Sequence, residues 1–268
     1  MEERANLISF EEYYREYLGL NSSDTGSEGI VVHAQRRAES VACFYVHHLI
    51  STVINGKLIY SVSPKLADEF SNAIGEHQSK LVNSDLCKEI DDIFIYMLPA
   101  LAYNPMLMHR MTLDDVDYSP DSENYDVIAL TEGSKTLFEK QSVHRGRKLT
   151  EFMWNARLET IRAGRYFAII ENDEIASSSF ISDIDNRAAN IVVSTKDKYR
   201  NRGYGRSVVM RATVWCIQNG IRPIYLVDVN NIPSIKLAER LGFKRKAQEI
   251  VVSTYNRDLC SAKAEELH

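Results

Sequence analysis

Val193-Ser-Thr-Lys-Asp-Lys-Tyr-Arg-Asn-Arg-Gly-Tyr-Gly-Arg206 is the stretch on which the reading of this chain turns. An apolar run closes at Thr195, a basic loop follows, and Gly203 and Gly205 flank one residue. Val208 to Ile217 then has helical periodicity, with Val208, Ala212 and Trp215 on one face. The order predicts a strand, a tight turn and a helix. A helix start leaves backbone N–H groups without acceptors and carries positive partial charge. Residues without Cβ let the backbone bend sharply and approach a ligand closely. Such a turn suits a phosphate or diphosphate. Lys196, Lys198, Arg200, Arg202, Arg206 and Arg211 lie in it or just beyond, against Asp197 alone within that span. Neither Gly-Lys-Ser/Thr nor GxGxxG occurs, so the P-loop and dinucleotide fingerprints do not apply. A solvated loop with incidental arginines has the same residues, and the turn by itself leaves that alternative standing.

The flanks extend the pattern. Downstream, Ile224 to Val229 reads as a strand covered on both faces, Ser234 to Leu241 as a helix stopped by Gly242, and Ile250 to Thr254 as a last strand. Upstream, Tyr125 to Leu130 reads as a strand, and Ser134 to Lys140 and Glu151 to Ile161 as helices. Tyr166 to Ile170 and Ile175 to Ile181 form a hairpin turning at Asn172-Asp173, and Ala189 to Thr195 is the next strand. Helices and strands in this order make a mixed α/β fold.

Asp114 to Asn124, acidic and containing Pro120, reads as a domain boundary. It separates a mixed, helix-rich N-terminal domain (residues 1–120) from a second domain (121–268). In the first, Ser9 caps a helix that runs to Leu18 and ends at Gly19, and Asn21 to Gly29 is a loop. Arg36 to Ile50 has helical periodicity, Lys57 to Val62 reads as a strand, Pro64 opens a helix, and Ser84 to Leu98 is an amphipathic helix.

Two motifs in order carry a family resemblance. Arg200-Asn-Arg-Gly203-Tyr-Gly205 resembles the Arg/Gln-x-x-Gly-x-Gly/Ala signature of the GNAT N-acetyltransferase superfamily. Asn231, Ser234 and Leu241-Gly242-Phe243 resemble its second motif. The resemblance covers about residues 125–254. Ile191-Val192-Val193, Cys216, Gly220 to Pro223 and Leu237 to Phe243 look like a bacterial subgroup, the zwittermicin-resistance-type acetyltransferases.

The resemblance implies an acyl-CoA N-acyltransferase fold with acetyl-CoA as co-substrate and no metal. The pantetheine arm would lie where the strand before the signature parts from its neighbour, against Val193, Ser194 and Thr195. The diphosphate would lie against Arg200, Asn201, Arg202, Gly203, Tyr204, Gly205, Arg206 and Ser207, and Asn231 and Ser234 would flank the pantetheine. A main-chain N–H near Val193 to Thr195 would stabilise the oxyanion. An amine, mostly protonated near pH 7, needs a base, and Asp228 is the candidate, with Asp183 and Asp185 behind it. The family often places a Tyr as acid in the second motif, where this chain has Ala238; Tyr225 is the substitute candidate. Both residues also have ordinary readings, Asp228 as a cap of the Asn230-Asn231 turn and Tyr225 as a packing aromatic.

The function expected is acetyl transfer to a primary amine of a small molecule, a metabolite or antibiotic-like compound. Two alternatives stay open: a non-catalytic acyl-CoA-binding or sensor protein, and a protein lysine or N-terminal acetyltransferase. A homodimer is compatible with all three.

Composition narrows the partners. The 32 Lys and Arg against 37 Asp and Glu give a net charge of −5, which argues against nucleic acid. The longest apolar stretch, Val41 to Ile54, is broken by polar residues and falls short of the roughly 20 needed to span a bilayer. The acidic start, Met1 to Tyr14, has no signal-peptide character, so no membrane partner and a cytoplasmic location are expected. Cys43, Cys87, Cys216 and Cys260 are scattered without metal spacing. The His47-His48 pair, on a helix, would diverge too far for one metal.

Overall fold

The computed structural model describes residues 7–20, 30–41, 45–75, 81–99, 103–113, 125–144, 146 and 148–255. The expected boundary at 114–124, the loop at 21–29, Cys43 and Cys260 lie outside them. In chain order the elements are α1 (Phe10–Leu18), β1 (Ile30–His33), β2 (Ser40–Val41), β3 (Tyr45–Ile54), β4 (Lys57–Val62), α2 (Ala67–Ile74), α3 (Ser84–Met97), β5 (Tyr103–Thr112), β6 (Ile128–Ala129), α4 (Lys135–His144), α5 (Glu151–Arg162), β7 (Tyr166–Glu171), β8 (Glu174–Asp185), β9 (Ala188–Thr195), α6 (Tyr204–Gln218), β10 (Arg222–Asp228), α7 (Ile232–Arg240) and β11 (Lys244–Tyr255). The fold is mixed α/β. The chain divides into two compact units. One holds Ser9–Met111 with Leu226–Ile235 and Arg245–His268; the other holds Met1–Ile8, Thr112–Tyr225 and Lys236–Lys244.

In the unit built on Ser9–Met111, strands follow the order β1-β4-β3-β11-β5. β1 runs parallel to β4, and β3 pairs antiparallel with β4 and with β11. α2 and α3 cover this sheet, with Phe70, Leu86, Ile90 and Phe94 packed among Leu49, Tyr60, Val62, Ile250 and Val252. α1 begins where the Ser9 hydroxyl accepts the Glu12 N–H at 3.1 Å and buries Tyr13, Tyr14, Tyr17 and Leu18. Beneath it Arg110 and Glu249, both fully buried, form an ion pair at 2.8 Å, and Tyr14 donates to the same carboxylate at 2.8 Å.

One expectation for this region fails. Residues 36–50 do not form a helix: a 3-10 turn at Gln35–Ala38 is followed by β2 and β3. Residues 49–52 of β3, Ser51 and Thr52 included, are buried on both faces, so the strand shows no apolar–polar alternation, and periodicity cannot separate a doubly covered strand from a helix. His47 and His48 therefore sit on opposite faces of a strand. They bond Ser253 at 2.7 Å and Thr254 at 2.8 Å on β11. The sequence also carries no assignment for residues 103–112, which form β5.

In the other unit the order is β10-β9-β8-β7-β6. β6, β7, β8 and β9 pair antiparallel, and β9 with β10 parallel. Asn172 and Asp173 both take positive φ, 50° and 56°, as a two-residue hairpin turn requires. α4 and α5 supply Phe138, Trp154 and Ile161 to a core with Tyr166, Ala168 and Ile175. α6 buries Val208 with Ile169, Ala176, Tyr199 and Tyr204. Each large aliphatic side chain so covered contributes about 1.5–3 kcal/mol, which fixes α6 against the strands that precede it.

Candidate functional site

β9 leads into the turn with one edge unpaired. The Lys196 N–H donates to Ala176 O at 3.0 Å, and Ser178 lies opposite Ser194. In an antiparallel ladder a residue's N–H and C=O point to the same side, and the side alternates. Val192, Ser194 and Lys196 therefore address β8. Ile191, Val193 and Thr195 turn their N–H and C=O the other way. On that side β10 pairs Arg222 with Ala188, Pro223 with Ala189 and Ile224 with Asn190, and the ladder stops there. Among the described residues, Val193 and Thr195 thus have no strand partner on their outer edge. The Thr195 side chain is held by Ser177, hydroxyl to hydroxyl at 2.8 Å.

Beyond Thr195, Asp197–Tyr199 form a 3-10 turn, Asn201 takes φ +62°, and Gly203 caps α6 at φ +84°. The first backbone bond into the helix runs from Ser207 N–H to Gly203 O at 3.1 Å, so the amides ahead of it lack intrahelical acceptors. Gly203 is exposed and Gly205 half-buried. A Cβ on Gly205 would lie 3.2 Å from Thr195 Oγ1 and 3.5 Å from Leu237 Cδ2. Glycine there lets the helix start sit directly against the end of β9. α6 begins at Tyr204, four residues before its apolar periodicity does.

The charges are arranged differently from the local sequence. Glu174, 6% exposed, accepts from Lys196 Nζ at 2.5 Å, from Tyr199 at 2.9 Å and from Lys198 Nζ. The bonds from Lys196, Lys198 and Tyr199 hold its carboxyl down at about 2. Arg200 pairs with Asp197 at 2.8 Å. Arg202 lies over the Tyr199 ring at 5.5 Å and Arg211 over Phe167 at 5.9 Å. Tyr204 donates to Glu171 at 2.8 Å; that bond, with burial, raises its phenol. Tyr125 donates to Arg202 O at 2.6 Å. Sequence reasoning missed Tyr125, Glu171 and Glu174. The available signal was an acidic residue on each side of the Asn172-Asp173 turn.

The remaining candidates occupy other places. Asn231 Oδ1 accepts the Ser234 N–H at 3.3 Å, capping α7. Asp228, half-buried, accepts the Asn230 N–H at 2.7 Å and through its carbonyl the Asn231 N–H at 2.9 Å. Tyr225 is 2% exposed with its ring 5.7 Å from that of Phe243. Ala238 is fully buried. Cys87 and Cys216 are free thiols, and burial pushes Cys216 up to about 12. Among the described residues no three His, Cys, Asp or Glu side chains group to hold a metal, and no helix is long and apolar enough to cross a membrane.

Comparison with known proteins finds the acetyltransferase (GNAT) family model matched over residues 132–243. A Bacillus subtilis protein described as an uncharacterized N-acetyltransferase, YdfB, is 31% identical over 94 residues, which are 35% of this chain and 36% of that protein. The chain thus spans about a third of the length of that relative. An acetyltransferase from the GNAT family of Colwellia psychrerythraea has 12% identity and a TM-score of 0.52, covering 95% of this chain and 100% of that one. That likeness is one of fold. A GCN5-related N-acetyltransferase from Sphaerobacter thermophilus is similar at 14% identity and a TM-score of 0.46, over 61% of this chain and 56% of that one.

Proposed function

We propose, from the acetyltransferase (GNAT) match over residues 132–243, that this chain transfers an acetyl group from acetyl-CoA to a primary amine of a small molecule by direct attack. The observation that supports it most is the outer edge of β9. The amides of Val193 and Thr195 face away from β8 past the last β10 pair, next to a helix start opened by Gly203. An extended pantetheine can take the hydrogen bonds a strand would otherwise take, while first-turn amides of α6 meet the diphosphate. Arg202 and Arg206, on either side of Gly203-Tyr204-Gly205, are the side chains proposed to add charge beside those amides.

In the proposed reaction the amine nitrogen attacks the thioester carbonyl. The oxyanion rests on a β9 amide, the C–S bond breaks, and CoA leaves as thiolate. Thiols have pKa values near 8.5, so that departure does not require a dedicated acid. Asp228 is carried as the base because it stays half-buried while Tyr225 lies in the core. Antibiotic-like amines belong among the acceptors because of the subgroup resemblance. The test is thiol release from acetyl-CoA against a panel of small amines and Lys-bearing peptides. Turnover with a small amine supports the reading, and turnover with peptides alone replaces it by protein acetylation. CoA binding without turnover on any acceptor supports a non-catalytic acyl-CoA-binding protein, the reading that a buried Ala238 in place of the acid Tyr favours.

A further inference from the structure

We propose that three side chains outside the turn, Tyr125, Glu171 and Glu174, are positioning residues that set the coenzyme turn in its binding shape before any ligand arrives; the inference rests on the reading of Arg200–Ser207 as the diphosphate site. The turn needs such support. Asn201 and Gly203 both hold positive φ, 62° and 84°, and such conformations persist when the surroundings over-determine them.

Tyr125 acts on a single peptide plane. Its hydroxyl donates to Arg202 O at 2.6 Å, and its ring meets the Tyr204 ring edge-on, centroids 4.7 Å apart. The Arg202 carbonyl and the Gly203 N–H belong to one planar trans peptide and point in opposite directions. Holding the carbonyl on the Tyr125 side therefore turns the Gly203 N–H to the other side, toward the ligand face. Glu171 fixes the helix start through Tyr204, the first residue of α6. Glu174 holds the approach: two lysines and Tyr199 converge on its oxygens, which pins the 3-10 turn and ties both ammonium groups to one carboxylate. Glu171 and Glu174 bracket the Asn172-Asp173 turn, so one hairpin supports both ends of the loop. The ligand then meets fixed amides instead of mobile lysines, and little ordering cost falls on binding.

The experiment titrates CoA by calorimetry into the full chain and its Tyr125→Phe and Glu174→Gln variants, with thermal denaturation alongside. Tyr125 is 37% exposed and loses one hydrogen bond, so Tyr125→Phe is expected to fold with an unaltered Tm and to weaken CoA about fivefold. Glu174→Gln is expected to weaken it tenfold or more, about the loss of one charge-assisted bond. A purely structural role would lower Tm and leave the Kd alone. Unchanged or tighter CoA binding by the folded variants overturns the inference while leaving the coenzyme site intact. If Glu174→Gln does not fold, Tyr125→Phe decides. If the unaltered protein fails to bind CoA, the site reading falls and this inference with it.

Discussion

Gly203→Ala places a Cβ on a residue whose φ is +84°, and the same change at Gly56, φ +74°, serves as its control. For an L residue that region costs roughly 1–2 kcal/mol. At Gly56 nothing lies within 4 Å of the added atom; at Gly203 it would lie 3.3 Å from Tyr125 Cε2, on a ring whose tip can yield by a few tenths of an ångström. The backbone terms are therefore alike, and position is what differs. Gly56 lies in the β3–β4 hairpin, remote in sequence from the coenzyme turn. If the turn at 203 stays as it is, the cost appears as lost stability, roughly 2–8 °C in Tm for a chain this long. If it relaxes locally, Tm is spared and CoA must restore the strained φ on binding, raising Kd by the same free energy, about 5–30-fold. The two losses together should amount to roughly 1–2 kcal/mol, read by scanning calorimetry and CoA titration on each variant. Gly56→Ala should lower Tm and leave Kd unchanged. A Gly203→Ala protein with neither Tm nor Kd altered refutes the reasoning, as does a Gly56→Ala protein that binds CoA equally poorly.

Three further outcomes are expected. Ala238→Tyr, which would restore the family's usual acid, enlarges a side chain with no exposed surface; denaturant melts should show a loss of about 1–3 kcal/mol or more, and a neutral substitution would mean that the position opens on a cleft. Arg110→Met leaves Glu249 charged and buried without its partner, so unfolding should cost about 3–5 kcal/mol less, whereas Arg110→Met combined with Glu249→Leu should recover most of that loss. Burial and the nearby positive charges of Arg37, Arg110 and Arg36 hold His47 down at about 3. Its folded value thus lies below its unfolded one, so its contribution is intact above pH 6.5 and declines as the pH falls toward 3. His47→Gln should flatten the stability–pH curve over that window, and an unchanged slope would show that His47 is protonated in the native state.

What the sequence discloses here depends on the range of the interaction. The Ser9 cap, the Asn172-Asp173 hairpin and the strand–turn–helix at Ala189 to Gln218 are set by neighbouring residues, so spacing and turn chemistry reveal them. β3 stays hidden because covering both faces removes its alternation. In the site, the turn and its glycines are legible, but their electrostatics are not. The six cations count as an open basic patch only until Glu174, 22 residues before Lys196 in the chain, is brought beneath two of them. Tyr125 lies 77 residues from the carbonyl it holds, and no periodicity links the two. Asp228 and Asn231 also show why residue type alone underdetermines role: each is a plausible ligand contact by type, and each caps a local turn.

The most direct test follows the backbone amide resonances of the uniformly 15N-labelled protein as CoA is added. The largest shifts are expected at Gly203 to Arg206, from the diphosphate oxygens, and at Val193 and Thr195, from the pantetheine. CoA bound with those amides unmoved, and the shifts gathered on another part of the chain, would contradict the account.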